Sequence, residues 1–130
     1  MKKRTPHRQV WVKVNTPVDE GIAELICLLN QIDHLFTLDS CQGYEGWGHI
    51  YFRYGNWRNL ASFVFGILDP ALRGIGEMHL CVESIDGNEP MAKLGFRTET
   101  IPQIVSVLKD LLTLPRFGCS YDRGCKELHN

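Results

Sequence analysis

The segment Ser40-Cys41-Gln42-Gly43 places four chemically versatile groups next to one another. A hydroxyl, a thiol and an amide are followed at once by a glycine, whose backbone turns tightly and exposes its N–H groups. Successive N–H groups in such a turn can hold a phosphate or a carboxylate. A tight turn around a small buried cysteine has the same sequence pattern. We therefore expect either an anion-binding turn or a purely structural turn at these four residues.

Aromatic and cationic side chains follow this segment. Tyr44 and Trp47 lie in a glycine-rich stretch, and Tyr51 and Arg53 recur at alternate positions beyond it. Aromatic rings stack on planar bases, each base contributing about 1–3 kcal/mol, and arginine neutralises phosphate. Such rings also pack in a core or against a second subunit. The residues expected to bind a nucleotide-like ligand are Ser40, Cys41, Gln42, Gly43, Tyr44, Trp47, His49, Tyr51, Arg53 and Arg97.

Cys41 is the candidate nucleophile if the chain is an enzyme. A thiol needs a nearby base to ionise it, and His49 or His79 could supply one. Sequence spacing does not bring either imidazole to the thiol, so we assign no catalytic residue and expect binding without catalysis. The glycines after Cys41 lead into a strand rather than a helix, which excludes a phosphate-loop or dinucleotide fingerprint.

Near the C-terminus, Cys119, Cys125 and His129 are ligand types that zinc prefers. They lack the closely spaced Cys-x2-Cys pair of many structural zinc sites, so we expect neither a metal nor another cofactor. Five cysteines, an odd number at irregular spacing, argue against a disulfide framework and favour a reducing compartment. The sequence therefore predicts a cytoplasmic protein.

Three short motifs run through residues 18–43, namely Asp19-Glu20-x-Ile22, Leu29-Asn30 and Thr37-x-x-Ser40-Cys41-Gln42-Gly43. Together they resemble a pattern of small uncharacterised bacterial and phage proteins. For the ligand-binding protein expected from the residues above, this resemblance implies a phage protein that sequesters a host nucleotide signal. More weakly, the segment is similar to the wybutosine-synthesising tRNA methyltransferase family, with Gln42 where that family has Ser and Tyr44 where it has Arg. That likeness implies an S-adenosylmethionine-dependent, methyltransferase-like enzyme centred on Ser40 and Cys41.

The elements that must position these residues follow from hydrophobic periodicity. Alternation predicts strands at 9–14, 35–40, 49–54, 78–85 and 91–97, and helical spacing predicts helices at 17–32, from Asn56 to Asp69-Pro70, and after Thr100. The order β-α-β-β-α-β-β-α predicts an α+β domain. We expect a split β-α-β (ferredoxin-like) sheet of four or five strands, with helices mainly on one face.

If the helices cover the aliphatic face, the opposite face is polar and aromatic. Alternation assigns to it Trp11, Lys13, His49, Tyr51, Arg53, His79, Cys81, Glu83, Lys93 and Arg97. We expect the ligand between this face and the 40–49 loop. A dimerising interaction module, whose polar face meets a second copy, is the remaining alternative.

The composition and charge of the chain indicate the class of protein and the number of domains. The 130 residues are 44% hydrophobic and 22% charged, which is typical of one globular domain and excludes a disordered chain. Residues 1–13 hold five of the 14 Lys and Arg and no acid, which leaves 9 − 15 = −6 elsewhere. We expect a flexible basic arm at 1–8, an α+β domain at 9–115 and a tail at 116–130. The acidic body argues against nucleic acid as a partner, and no apolar segment suggests a secretory signal or a membrane partner.

Overall fold

The computed structural model describes residues 9–12, 16–84, 86–87 and 89–114. These residues form one α+β domain in which helices cover one face of a four-stranded antiparallel sheet, and the predicted fold class is confirmed. The predicted arm at 1–8 and the tail at 116–130 lie outside the described residues. No helix in the described part of the chain is long and apolar enough to cross a bilayer.

The six strands of the described residues form three antiparallel pairs of consecutive strands. They are β1 (Gln9–Val12), β2 (Thr16–Asp19), β3 (Leu35–Tyr44), β4 (Trp47–Tyr54), β5 (His79–Glu83) and β6 (Met91–Arg97). The main sheet has the order β3-β4-β6-β5, so the second strands of two hairpins meet at its centre. β1 and β2 pair with each other in a separate two-stranded sheet.

The helices follow the hairpins along the chain. They are α1 (Ala23–Leu29), α2 (Trp57–Phe63), α3 (Asp69–Leu72) and α4 (Ile101–Leu112). A π-helical stretch, Val64–Leu68, joins α2 directly to α3. The prediction that Asp69-Pro70 ends this helix is wrong, because helical structure continues through Pro70, which lies in the first turn of α3, to Leu72.

The N-terminal third departs from the sequence prediction. The α-helix expected at 17–32 spans only Ala23–Leu29, after a 3-10 helix at Glu20–Ile22. Thr16–Asp19 is a strand in which Pro17 pairs with Trp11. Every strand of a two-stranded sheet is an edge, which is where proline is tolerated. Because β1 pairs with β2 here, it does not enter the main sheet. The order of that sheet therefore differs from the split β-α-β (ferredoxin-like) arrangement that the sequence suggested.

One face of the main sheet forms the core. Ile50 and Phe52 of β4 and Leu94 and Phe96 of β6 are fully buried and pack with residues of the helices in one cluster. Burying a large apolar side chain contributes about 1.5–3 kcal/mol. The residues between them, Tyr51 in β4 and Gly95 in β6, lie on the opposite face, where Tyr51 is half-buried and Gly95 is buried. We call that opposite face the open face.

Asn30 connects the end of α1 to β3. Its Nδ2 donates to the carbonyl oxygen of Ile26 and to Oγ1 of Thr37, each at 2.9 Å. Its Oδ1 accepts from the backbone N–H of Thr37 at 3.2 Å. The carboxamide therefore fixes where β3 begins relative to the helix beneath it.

The change Asn30→Ala should lower the free energy of unfolding by about 1–3 kcal/mol, because it leaves partly buried groups of Ile26 and Thr37 without their partner. Urea denaturation measures this loss. The control Asn59→Ala, at an exposed position in α2, should change the value by less than about 0.5 kcal/mol. Equal losses in the two variants would contradict the role given to Asn30.

Cysteine chemistry also differs from expectation. Cys27, buried in α1, is disulfide-bonded. The cysteine count and spacing argued against a disulfide framework, and Cys27 is a disulfide-bonded residue that this argument did not anticipate. Cys41 and Cys81 carry free thiols.

Candidate functional site

A hollow of about 410 Å³ lies on the open face of the sheet. Its floor is Gly95 in β6, whose direct cross-strand partners are His49 in β4 and His79 in β5. Gly95 places no side chain between the two imidazoles, and a Cβ there would lie 3.4 Å from the Cβ of His79. The hollow exists because a glycine interrupts a row of side chains across the sheet.

The remaining walls are chemically mixed. Trp47, 43% exposed, stands at the start of β4, and Lys93 lies on the central strand β6. Nζ of Lys93 is 5.8 Å from the centroid of the Tyr51 ring. Glu77 and Met78, just before β5, complete the rim. The volume falls within the range of about 300–1,000 Å³ typical of small-molecule sites.

The turn before Trp47 is tighter than the sequence suggests. The glycine-rich loop expected after Cys41 is reduced to two residues, Glu45 and Gly46, because β3 continues to Tyr44. Glu45 has φ 58° and Gly46 has φ 87°. Positive φ at both positions is typical of a type I′ turn, whose twist matches the flanking strands. This turn fixes the position of Trp47, the first residue of β4.

Arg97 holds Trp47 from the side of β6. Its guanidinium carbon lies 4.9 Å from the centroid of the Trp47 ring, and its Nε donates to Oε1 of Glu99 at 3.3 Å. The backbone N–H of Thr98 donates to the carbonyl oxygen of Gly46 at 2.9 Å. The end of β6 and the hairpin turn are therefore linked, and the guanidinium of Arg97 is engaged with neighbours of its own chain.

Ser40 and Cys41 do not converge on one point. Ser40 pairs with Ile50 and lies on the core face, whereas Cys41 pairs with His49 and lies on the open face. Neighbouring strand residues point to opposite faces, so the predicted turn with a hydroxyl and a thiol side by side is replaced by a strand. Cys41 is only 3% exposed.

At Gln42, Gly43 and Tyr44 the structure describes the backbone alone. The ligand contacts expected of their side chains lie outside what it describes. The pairing register shifts between Cys41 and Tyr44, an irregularity that bends a strand locally.

Arg53 does not line the hollow. It stands two residues beyond Tyr51 on the same strand, about 7 Å along it from the end of the hollow at Lys93. Its Nε is buried and has no hydrogen-bond partner among the described residues, while its cross-strand neighbour Phe36 is 63% exposed. Of the predicted residues, the structure thus brings Trp47 and His49 to the hollow and Tyr51 to its side.

Several residues of the hollow were absent from the predicted binding set. These are Gly48, Glu77, Met78, His79, Lys93 and Gly95. Alternation assigned His79 and Lys93 to the correct face but gave no reason to select them. A glycine inside a strand pattern often marks a close approach or a bulge, and this signal could have identified Gly95. Nothing in the sequence around Glu77, where φ is 60°, indicates a rim.

Metal ligands do not assemble in the described part of the chain, where no group of three or more His, Cys, Asp or Glu could hold an ion. The zinc candidates Cys119, Cys125 and His129 lie outside the described residues. His49 and His79 are separated by Gly95, so the hollow presents two imidazoles rather than a metal centre.

Comparisons with known protein families, with curated proteins and with solved structures find no match to this chain. The resemblances noted in the sequence stay predictions. The chemistry of the hollow therefore carries the functional conclusion.

The change Gly46→Ala should cost about 1–2 kcal/mol of unfolding free energy, because an L-residue is strained at this positive φ. The added methyl would also lie 3.1 Å from Nη2 of Arg97. Chemical denaturation measures the cost, and fluorescence of the tryptophans reports displacement of Trp47. Gly76→Ala is the control, since a Cβ there meets nothing within 4 Å. A neutral Gly46→Ala would contradict the role of the turn.

Proposed function

We propose that this chain binds a small anionic, nucleotide-like ligand in the hollow over Gly95. The observation that carries the proposal is a cavity of about 410 Å³ walled by Trp47, His49, His79 and Lys93. Imidazole and ammonium N–H groups donate hydrogen bonds to phosphate oxygens, and such bonds are stronger than those between neutral groups. An indole ring offers a surface on which a base can stack.

The distribution of charge favours one orientation of the ligand. Trp47 and Lys93 stand at opposite ends of the hollow, and the pairing of Trp47 with Arg97 puts them about four residues, or 13 Å, apart along the strands. Glu77 on the rim repels phosphate but accepts hydrogen bonds from a sugar hydroxyl or a base amine. The planar group is therefore expected at Trp47 and the anionic group at Lys93.

Arg97 has a supporting part in this arrangement. Its guanidinium covers one face of the Trp47 ring, and the cation–π contact contributes about 0.5–1 kcal/mol at an exposed site. The other ring face is then held in place for a ligand. Arg53, which the sequence suggested as a phosphate contact, does not line the hollow and would contact only a ligand that extends past Lys93 toward the next residue of that face on β4.

A thermal-shift screen tests the proposal directly. The panel contains simple nucleotides, cyclic dinucleotides, ADP-ribose-type compounds and S-adenosylmethionine. A ligand that binds the folded state adds about 2.7 kcal/mol of stability when its free concentration is 100-fold above Kd. We expect a phosphate-bearing member of the panel to raise Tm, and calorimetry to give one site per chain. Failure of every member would contradict the proposal.

Variants locate the site. Lys93→Gln should raise the Kd of the ligand about tenfold, because it removes a charge-assisted hydrogen bond. Gly95→Val should abolish binding by filling the floor of the hollow. The matched control is Lys109→Gln in α4, whose lysine pairs with Glu24 at 3.1 Å. Equal affinity in Lys93→Gln and Lys109→Gln would place the ligand elsewhere.

A thiol-dependent enzyme is a second candidate, favoured by the position of Cys41 directly opposite His49. The Cβ atoms of such cross-strand pairs are about 4.5–5.5 Å apart, which allows a thiol and an imidazole to meet. If His49 activates the thiol, His49→Ala should slow alkylation of Cys41 by iodoacetamide at least tenfold, relative to Cys81. Unchanged alkylation would remove this candidate.

Different experimental results would favour the methyltransferase-like and the dimerising alternatives. A rise in Tm with S-adenosylmethionine alone would favour an enzyme centred on Ser40 and Cys41. Dimerisation through the open face predicts that Arg53→Glu splits a dimer while leaving any ligand-induced rise in Tm unchanged.

A further inference from the structure

We infer that two copies of this chain pair through β5, antiparallel and centred on Cys81, so that two four-stranded sheets become one. Within the described residues β5 pairs only with β6 and forms an edge of the sheet. Its pairing with β6 covers all five residues from His79 to Glu83 without a register shift. The outward side of β5 is therefore a regular row of backbone donors and acceptors.

The two edges of the sheet differ in a way that favours pairing at β5. Natural proteins protect exposed edge strands with bulges, proline, charged side chains or short length. The other edge, β3, has register shifts between Thr37 and Asp39 and again between Cys41 and Tyr44. β5 has the sequence His-Leu-Cys-Val-Glu, without a bulge, proline or lysine, and its carboxylate, Glu83, stands at its last position. It has the regular geometry that a second strand requires.

The sequence of β5 is complementary to itself when reversed. Antiparallel pairing about Cys81 places His79 of one copy opposite Glu83 of the other, twice by symmetry. The imidazole donates a hydrogen bond to a carboxylate whether or not it is protonated. The same register places Leu80 opposite Val82, and both side chains are half-buried against the core. One register thus satisfies charged, apolar and backbone groups together.

Pairing at β5 would also complete the rim of the hollow. His79 lines the hollow, so Glu83 of the second copy would stand beside it. The two open faces would form one continuous surface with two hollows. This consequence rests on the proposed function, whereas the pairing of the strands does not.

Charge reversal and rescue test the pairing. Sedimentation equilibrium should show a dimer for the unchanged chain. His79→Glu should raise the dimer dissociation constant about tenfold or more, because like charges then face each other twice. The double variant His79→Glu with Glu83→Lys should restore the dimer. Asp39→Lys on β3 and Arg53→Glu on the open face are controls that should leave it intact.

A cross-link tests the register. Residues opposite each other in an antiparallel pair have Cα atoms about 4.5–5.5 Å apart, which is within the span of a disulfide. Mild oxidation should link two copies through Cys81. The link should be lost in Cys81→Ser and kept in Cys41→Ser.

Some outcomes would overturn the inference. A chain that stays monomeric at all concentrations while still binding a nucleotide would exclude the pairing and leave the proposed ligand in place. A dimer split by Arg53→Glu but not by His79→Glu would assign the interface to the open face instead. A β5-linked dimer that binds no member of the ligand panel would contradict the proposed function alone.

Discussion

The main sheet buries one face under all of its helices, and the position of every candidate site residue depends on that asymmetry. Ile50 and Phe52 point into the core, and the alternation of a strand sends His49 and Tyr51 the other way. Apolar burial supplies most of the stability of a domain of this size. The polar open face is therefore a geometric consequence of the core behind it. The hollow forms on this face because Gly95 has no side chain to fill the space.

Local patterns in the sequence predicted much of this arrangement. Strict alternation in β4 and β6 gave the correct face for Tyr51 and Lys93, because a period of two needs no information from elsewhere in the chain. The start of α1 could not be read in the same way. Thr16-Pro17 followed by acidic residues satisfies the usual signals for a helix start, yet the partner that makes it a strand, β1, lies several residues away.

The site was harder to predict than the fold, because it depends on register across three strands. His49, Gly95 and His79 form one row only through the pairings of β4 and β5 with β6, and no local pattern encodes such a row. At Ser40 and Cys41, by contrast, a local pattern led to a wrong prediction. Their adjacency in sequence suggested one reactive point, but strand geometry separates them onto two faces of the sheet.

The π-helical stretch Val64–Leu68 keeps a long helical segment aligned with the sheet. Leu60, Val64, Leu68 and Leu72 are all buried and are spaced four residues apart. In a uniform α-helix with 3.6 residues per turn, such a stripe drifts around the axis by about 40° at each step. The wider π turn in the middle rotates in the opposite sense and cancels part of the drift. The change of helical winding thus helps the four buried side chains along residues 57–72 to face one core.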